Sequence, residues 1–359
     1  MGRHGLLVVT AACIFIGSGL VAAEPKKGTF DARHELKVVV PEGAKKVRVW
    51  FALPQDVPQQ KVSELKIEGP SGHKVEKDSE GNAALYVEIN DPKEKEFVVL
   101  ATFRVERSEV QAALDPAKAQ PLSDQEKKDL AKYLAANKHV VIDDQIRKLA
   151  TQIVGGETNA LKAARKIYDW VLQNIEYWVK DPANKKASPV GSSEYCLTSK
   201  TGNCTDFHSL WTALARAQGI PTRMVYGSFF KAELNGKDAD QSYHCWPEFY
   251  VSGLGWIAHD VAVADIFAGE FPLNDANTKL VNLTTASGYS KPDPAMVEYY
   301  FGNLDERRVT WSVGRDLTLS PKQDGDPVNA LAKAYIEVDG KVHPEKTGWT
   351  RKLTYNEVK

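Results

Sequence analysis

Cysteine is scarce in this chain: four residues in 359, of which Cys196, Cys204 and Cys245 lie beyond the first 23 positions. An odd number cannot close wholly into disulfides, so at least one thiol stays free. A chain of this length buries a core that needs no cross-link. Charge of one sign is lacking too, with 46 Lys and Arg against 47 Asp and Glu and a formal net charge of −1. No basic block is present to track phosphates, so nucleic acid is not read as a partner. Beyond residue 23 no apolar run is long enough to span a bilayer. Internal repeats and low-complexity tracts are absent. The acids do not fall at calcium spacing, nor the histidines and cysteines at zinc spacing, so no metal and no cofactor are inferred.

The first 23 residues differ from the rest. Arg3 and His4 precede an apolar run from Leu6 to Ile16, glycine and serine interrupt it, and Val21-Ala22-Ala23 offers a small-residue cleavage pattern before Glu24. Residues 1–23 are read as a signal peptide, which makes the protein exported, periplasmic or secreted, with no stable transmembrane segment once it is cut. In an oxidising compartment an unpaired thiol marks a candidate reactive cysteine.

From Leu36 to Glu106 the pattern has period two. Val47, Val49, Phe51 and Leu53 alternate with Arg48, Trp50 and Ala52, and Phe97, Val99, Ala101, Phe103 and Val105 repeat the scheme, as strands with one face on a core do. The expectation is a small β-sandwich domain over 24–111, a linker over 112–122, and a second domain over 123–359. Ser123 and Glu126 form a capping box for a helix to about Ala136. A second helix is expected over Asp143–Ile153, and a third, with Thr158 as its cap, carries Leu161, Ala164, Ile167, Tyr168, Val171 and Leu172 at helical spacing. The polar stretch Asp181–Ser193 reads as a loop or lid. A helix over Thr205–Gln218 follows, then strands at Arg223–Phe230, His244–Val251, Trp256–Val263, Val309–Val313 and Ala334–Val338. Helices first and strands second give an α+β class.

Chemistry concentrates in this second part. Gly202-Asn203 ends a loop, and Cys204 stands where the next helix begins, where the macrodipole and free N–H groups favour a thiolate. His244 shares a strand face with Trp246 and Glu248, and Asp260 shares one with Trp256 and Ala258. If the short Ser252–Gly255 connection makes these strands neighbours, an imidazole and a carboxylate meet in front of the cysteine. That is a nucleophile, a base and an orienting acid. His259 points to the opposite strand face. His208, one turn into the helix, could lie near the site but reads rather as solvent-facing or structural; Asp206 reads as a complement to the helix dipole, and Cys245 as core, with a bridge to Cys196 left open.

The segments Gly202-Asn203-Cys204-Thr205-Asp206-Phe207, Ala213 to Arg223, His244-Cys245-Trp246-Pro247-Glu248-Phe249 and Gly255-Trp256 with Asp260 resemble, in order, the core motifs of the bacterial transglutaminase-like superfamily. The helix from Ala164 to Tyr177 is similar to the one that family places before its cysteine, and the resemblance covers about 160–265. It implies a papain-like fold with Cys204 as nucleophile, His244 as general base and later acid, and Asp260 as orienter. The implied reaction is thiol-dependent acyl transfer at amide bonds of a protein or peptide substrate, conceivably of the cell envelope, through a thioester. Hydrolysis is preferred to cross-linking because water is the default acceptor. The alternative is a non-catalytic peptide-binding or scaffold protein on the same fold. After the aspartate the family pattern leads one to expect a proline or small polar pair, and Val261-Ala262 stands there instead. The backbone N–H of Cys204 is expected to be one oxyanion donor, with the second left open among Tyr195, Thr198 and Trp178.

Overall fold

The computed structural model describes residues 24–285 and 288–359. The expected signal peptide at 1–23 lies outside them. Lys27–Val39 alternates buried and exposed residues along its length, with Phe30, Leu36 and Val38 turned inward, as a strand with one covered face must. It lies within a four-stranded sheet ordered Trp349–Val358, Lys27–Val39, Glu96–Ser108, Gln60–Glu68. A second sheet runs Lys341–Val342, Ala334–Val338, Lys46–Ala52, Ala83–Asn90, Lys74–Lys77. The two meet through apolar faces, with the His34 ring 4.0 Å from Phe51.

Two expectations about this sandwich change. The sequential division gave all of 123–359 to the second domain, yet Ala334–Val338 pairs with Lys46–Ala52, and Trp349–Val358 pairs with Lys27–Val39 over ten residue pairs. The end of the chain covers a sheet edge that would otherwise present open N–H and C=O groups. Residues Arg48, Trp50 and Ala52 were expected on an open face, and all are buried. The loop around Pro321 crosses that face: Trp50 Nε1 donates to the Pro321 carbonyl at 2.9 Å and Arg48 Nη2 to that of Lys322 at 2.6 Å.

The helices follow their local signals closely. Ser123 and Glu126 form the capping box, but the helix stops at Asp129 instead of near Ala136. Asp143 caps Asp144–Val154, which ends at Gly155 in the left-handed region with φ 62°. Asn159, and not Thr158, caps Ala160–Asn174 by accepting from the Lys162 N–H at 3.2 Å. Cys204–Ala217 is buried from Cys204 to Arg216, which explains why its apolar stripe is broad. It packs on an antiparallel sheet ordered Gly255–Ala258, Tyr243–Val251, Thr222–Phe229, Arg308–Val313, with Trp211 against Phe249 at 5.4 Å. The class is α+β.

The expected strand Trp256–Val263 ends at Ala258. Asp260 then caps a helix, Val261–Ala268, by accepting the Val263 N–H at 3.0 Å. Every residue from Val261 to Phe267 is buried, so this helix has no polar face and no amphipathic period to read.

Candidate active site

Cys204 is the first residue of its helix, and a reciprocal cap sets its position. The Asn203 side chain accepts from the Asp206 N–H at 3.1 Å, and the Asp206 carboxylate accepts from the Asn203 N–H at 2.9 Å. Asp206 also accepts from the N–H groups of Ser188 at 3.1 Å and Ser192 at 2.7 Å, tying the preceding loop to the helix start. A side chain at residue 202 would put its Cβ 2.3 Å from that of Asp206, so only Gly202 permits this approach.

His244 lies on Tyr243–Val251, which pairs with Gly255–Ala258 in a register that matches Glu248 with Ala258, and Asp260 follows two residues beyond that second strand as the cap of the next helix. His244 Nε2 is 2.6 Å from Asp260 Oδ2, leaving Nδ1 as the ring nitrogen free to serve the thiol. The structure thus brings Cys204, His244 and Asp260 together. All three are buried, Cys204 being 5% exposed.

The charges are mutually supporting. The Cys204 thiol is held well below its ordinary range, first by a hydrogen bond from Cys245 and then by the His244 imidazole, against the opposing pull of burial. Burial works to lower His244, but Asp260 and the sulfur of Cys204 carry it up to about 9. Burial works to raise Asp260, but His244 and Arg308 hold it well below the carboxylate range. These directions favour a thiolate beside an imidazolium over a neutral thiol and imidazole. Two pH limbs follow. Iodoacetamide is expected to alkylate Cys204 even at about pH 6, where an ordinary thiol of pKa ≈ 8.5 is almost wholly protonated. Turnover is expected to fall above about pH 9, as the imidazolium loses the proton it must donate, while alkylation persists because the thiolate remains. Parallel profiles of alkylation rate and kcat/KM check both limbs.

Three groups at this site escaped the sequence reading. Arg308 is fully buried, bonds Asp260 Oδ2 through Nη1, and reaches Asp305 through Nε at 2.9 Å. It lies 48 positions from Asp260 on a strand with no motif of its own, so no spacing signals it. Tyr177 Oη accepts the Cys204 N–H at 3.0 Å, so the proposed oxyanion donor already has a partner. Of the upstream donors considered, Tyr195 instead donates to the Lys186 carbonyl at 2.9 Å, Thr198 is exposed and Trp178 is half-buried. Asp265, on the helix that Asp260 caps, holds the Tyr177 N–H at 2.9 Å and pairs with buried Lys180 at 2.9 Å. His208 lies at the site, as its place one turn after Cys204 allowed, although a solvent-facing or structural role was the preferred reading. It is buried, with Nε2 3.2 Å from Asp260 Oδ1 and Nδ1 3.5 Å from Cys245 Sγ.

Cys196 and Cys245 are both free and buried, so the bridge left open does not form. Burial pushes Cys196 up, and burial with the neighbouring Cys204 pushes Cys245 up, so both stay protonated. His259 lies on the opposite strand face, 4.0 Å from the Trp211 ring, and burial holds it well below its usual range.

A cleft of about 300 Å³ is lined by the two chain neighbours of Cys204, Asn203 and Thr205, with Pro189, Tyr243, Lys333 and Trp349, though not by Cys204 or His244 themselves. A larger hollow of about 480 Å³, near Glu176 and Lys185, includes neither Cys204 nor His244. Residues 147–261 match the sequence model of the transglutaminase-like superfamily core. The chain carries a transglutaminase-like core. Its helix-start cysteine and paired strands all fall within the matched stretch. An uncharacterised protein of Haemophilus influenzae is 28% identical over 328 residues, 84% of each chain. The solved structure of a candidate cysteine protease from Cytophaga hutchinsonii superposes with a TM-score of 0.58 over 93% of this chain and 92% of that one, at 18% identity. That second likeness is one of fold, and it extends beyond the transglutaminase-like core to the β-sandwich.

Proposed function

We propose that the protein is an exported cysteine enzyme that cleaves or transfers amide bonds of proteins or peptides. The observation that carries this reading is the buried His244–Asp260 pair, 2.6 Å apart, with its imidazole acting on the helix-start Cys204 thiol. In the proposed sequence the Cys204 thiolate attacks the amide carbonyl carbon, and the carbonyl π electrons move to oxygen. The His244 imidazolium gives its proton to the leaving amine as the C–N bond breaks, leaving a thioester and a neutral imidazole. That imidazole then removes a proton from water or an amine as it attacks the thioester, and the thiolate departs. Asp260 keeps the ring oriented and its charge matched. The Tyr177 hydroxyl stands where a substrate oxygen would meet the Cys204 N–H, so it turns aside as the acyl group enters.

Export rests on the pattern of residues 1–23, and a cell-envelope peptide is the substrate class that fits that location. Among the described residues no helix is long and apolar enough to cross a membrane. The test is single-turnover incubation with a cell-envelope peptide pool, followed by mass analysis of the Cys204 peptide. An acyl adduct is expected. Added primary amine then separates two fates: a transferase yields amide at the expense of acid, and a hydrolase yields acid throughout. Peptide binding with no adduct, equal in wild type and Cys204→Ala, would leave a binding protein on this fold.

A further inference from the structure

Among the described residues six arginines are buried, and five are accounted for. Arg48, Arg216, Arg308, Arg315 and Arg351 each meet carbonyl or side-chain oxygens. Arg107, at the end of the Glu96–Ser108 strand, does not. It is 3% exposed, its Nε is shut off from solvent without a partner, and no acid lies within ion-pair distance of it among the described residues. Burial draws its pKa down to about 10, so it keeps its charge at neutral pH. Such an uncompensated buried cation is costly to the fold unless something pairs with it.

The side chain lines a cavity of about 280 Å³ between the sandwich and the catalytic sheet. Val57, Pro58, Val225 and Val313 supply apolar wall, and Trp256 closes one side. The other charged groups there are committed. Arg223 bonds Glu248 at 2.6 and 2.8 Å and stacks 4.2 Å above the Trp256 ring. Asp305, which is not part of the lining, is held by Arg308. A guanidinium with no hydrogen-bond or ion-pair partner among the described residues therefore faces a small chamber of mixed wall, in which Gln59, Thr310 and the Arg223–Glu248 pair stand among the apolar residues.

We infer that this cavity is a carboxylate-binding site, anchored by the Arg107 guanidinium and accepting a monoanion with a short branched apolar body. A guanidinium fork takes a carboxylate through two parallel hydrogen bonds, and the chamber wall takes the hydrocarbon. Phosphate fits less well, because one cation serves its higher charge and Glu248 stands close by. The site is distinct from the thiol centre: Glu248 lies four residues along the strand from His244, roughly 13 Å at strand rise. It does not depend on the proposed acyl-transfer activity. The carboxylate has two sources, a free short-chain acid or the C-terminal residue of a peptide.

Isothermal titration with the full exported chain distinguishes them, using isobutyrate, N-acetylvaline, N-acetylvaline amide and inorganic phosphate. Binding of N-acetylvaline alone identifies a peptide terminus, and binding of isobutyrate as well identifies a free acid. The amide is expected not to bind. Arg107→Met, which keeps the stem and removes the charge, is expected to weaken carboxylate binding at least about ten-fold and to raise the melting temperature of the unliganded protein. Val225→Phe fills the chamber with Arg107 intact and is expected to abolish binding, which keeps the test decisive if the arginine variant fails to fold. No carboxylate binding to wild type at about 10 mM, a weak limit for any specific small-molecule site, overturns the inference. So does equal binding to a folded Arg107→Met or Val225→Phe variant, or phosphate binding in place of carboxylate.

Discussion

Alanine at position 204 is expected to abolish thioester formation, lowering turnover by on the order of a million-fold, the scale of loss when a nucleophile in a cooperating triad is removed. The proposed mechanism has no second nucleophile: burial alone, which the substitution leaves in place, pushes the Cys245 thiol up. The fold should survive. Cys204 begins its helix, and the cap that positions the helix belongs to Asn203 and Asp206, which the substitution leaves alone. Losing one buried sulfur costs about 1 kcal/mol, so thermal unfolding should shift by only a few degrees. His244→Ala should show nearly the same loss of rate, and the double variant should be little worse than either, because the residues act as a unit. A double variant with losses that multiply would show that the two side chains work independently, against the proposed mechanism.

Asp260→Asn is expected to be the second most damaging change, and it separates charge from shape. Asparagine is as good a helix cap as aspartate, so the Val263 contact is kept. The carboxylate charge is lost. His244, held up to about 9 by Asp260 and Cys204 against burial, falls in pKa, and the imidazolium needed by the leaving amine becomes scarce near neutrality. A fall of about 10³–10⁴ in kcat is expected, with the alkaline limb of the pH profile moving down. Arg308 loses one of its two acidic partners while remaining fully buried, and breaking a buried pair costs about 3–5 kcal/mol. Denaturant titration reads the stability loss and the pH profile reads the charge loss. An unchanged alkaline limb would remove Asp260 from the proposed role.

The site was legible to the extent that its residues advertise themselves locally. A glycine before a helix-start cysteine, and alternation along two strands joined by a short turn, are near-neighbour patterns, and they placed Cys204, His244 and Asp260 within reach of one another. Arg308 could not be read that way. Its meaning comes from a strand that crosses the sheet and delivers a guanidinium to a carboxylate far away in sequence. Tyr177 was passed over in favour of its neighbour Trp178, because the turn after the preceding helix decides which of the two points inward. The helix after Asp260 was hidden by its own burial: Val261-Ala262-Val263-Ala264 has no polar face, and β-branched residues read as strand. For His208 the reading near the site was the better of those open, since a helix buried all round offers no exposed side for a histidine to occupy.

The pairing of Trp349–Val358 with Lys27–Val39 has a consequence for how the protein is made. A chain growing from its N-terminus at about 5–20 residues per second needs roughly 10–50 s to pass from the Glu96–Ser108 strand to the start of the final one. Throughout that interval the Lys27–Val39 strand has its Glu96–Ser108 neighbour but lacks the partner for its other edge. The helices and sheet that carry Cys204 and His244 are complete well before that partner emerges from the ribosome. The first strands synthesised are therefore among the last whose edges can be fully paired. During that wait their open edge is the part of the nascent protein most in need of a chaperone.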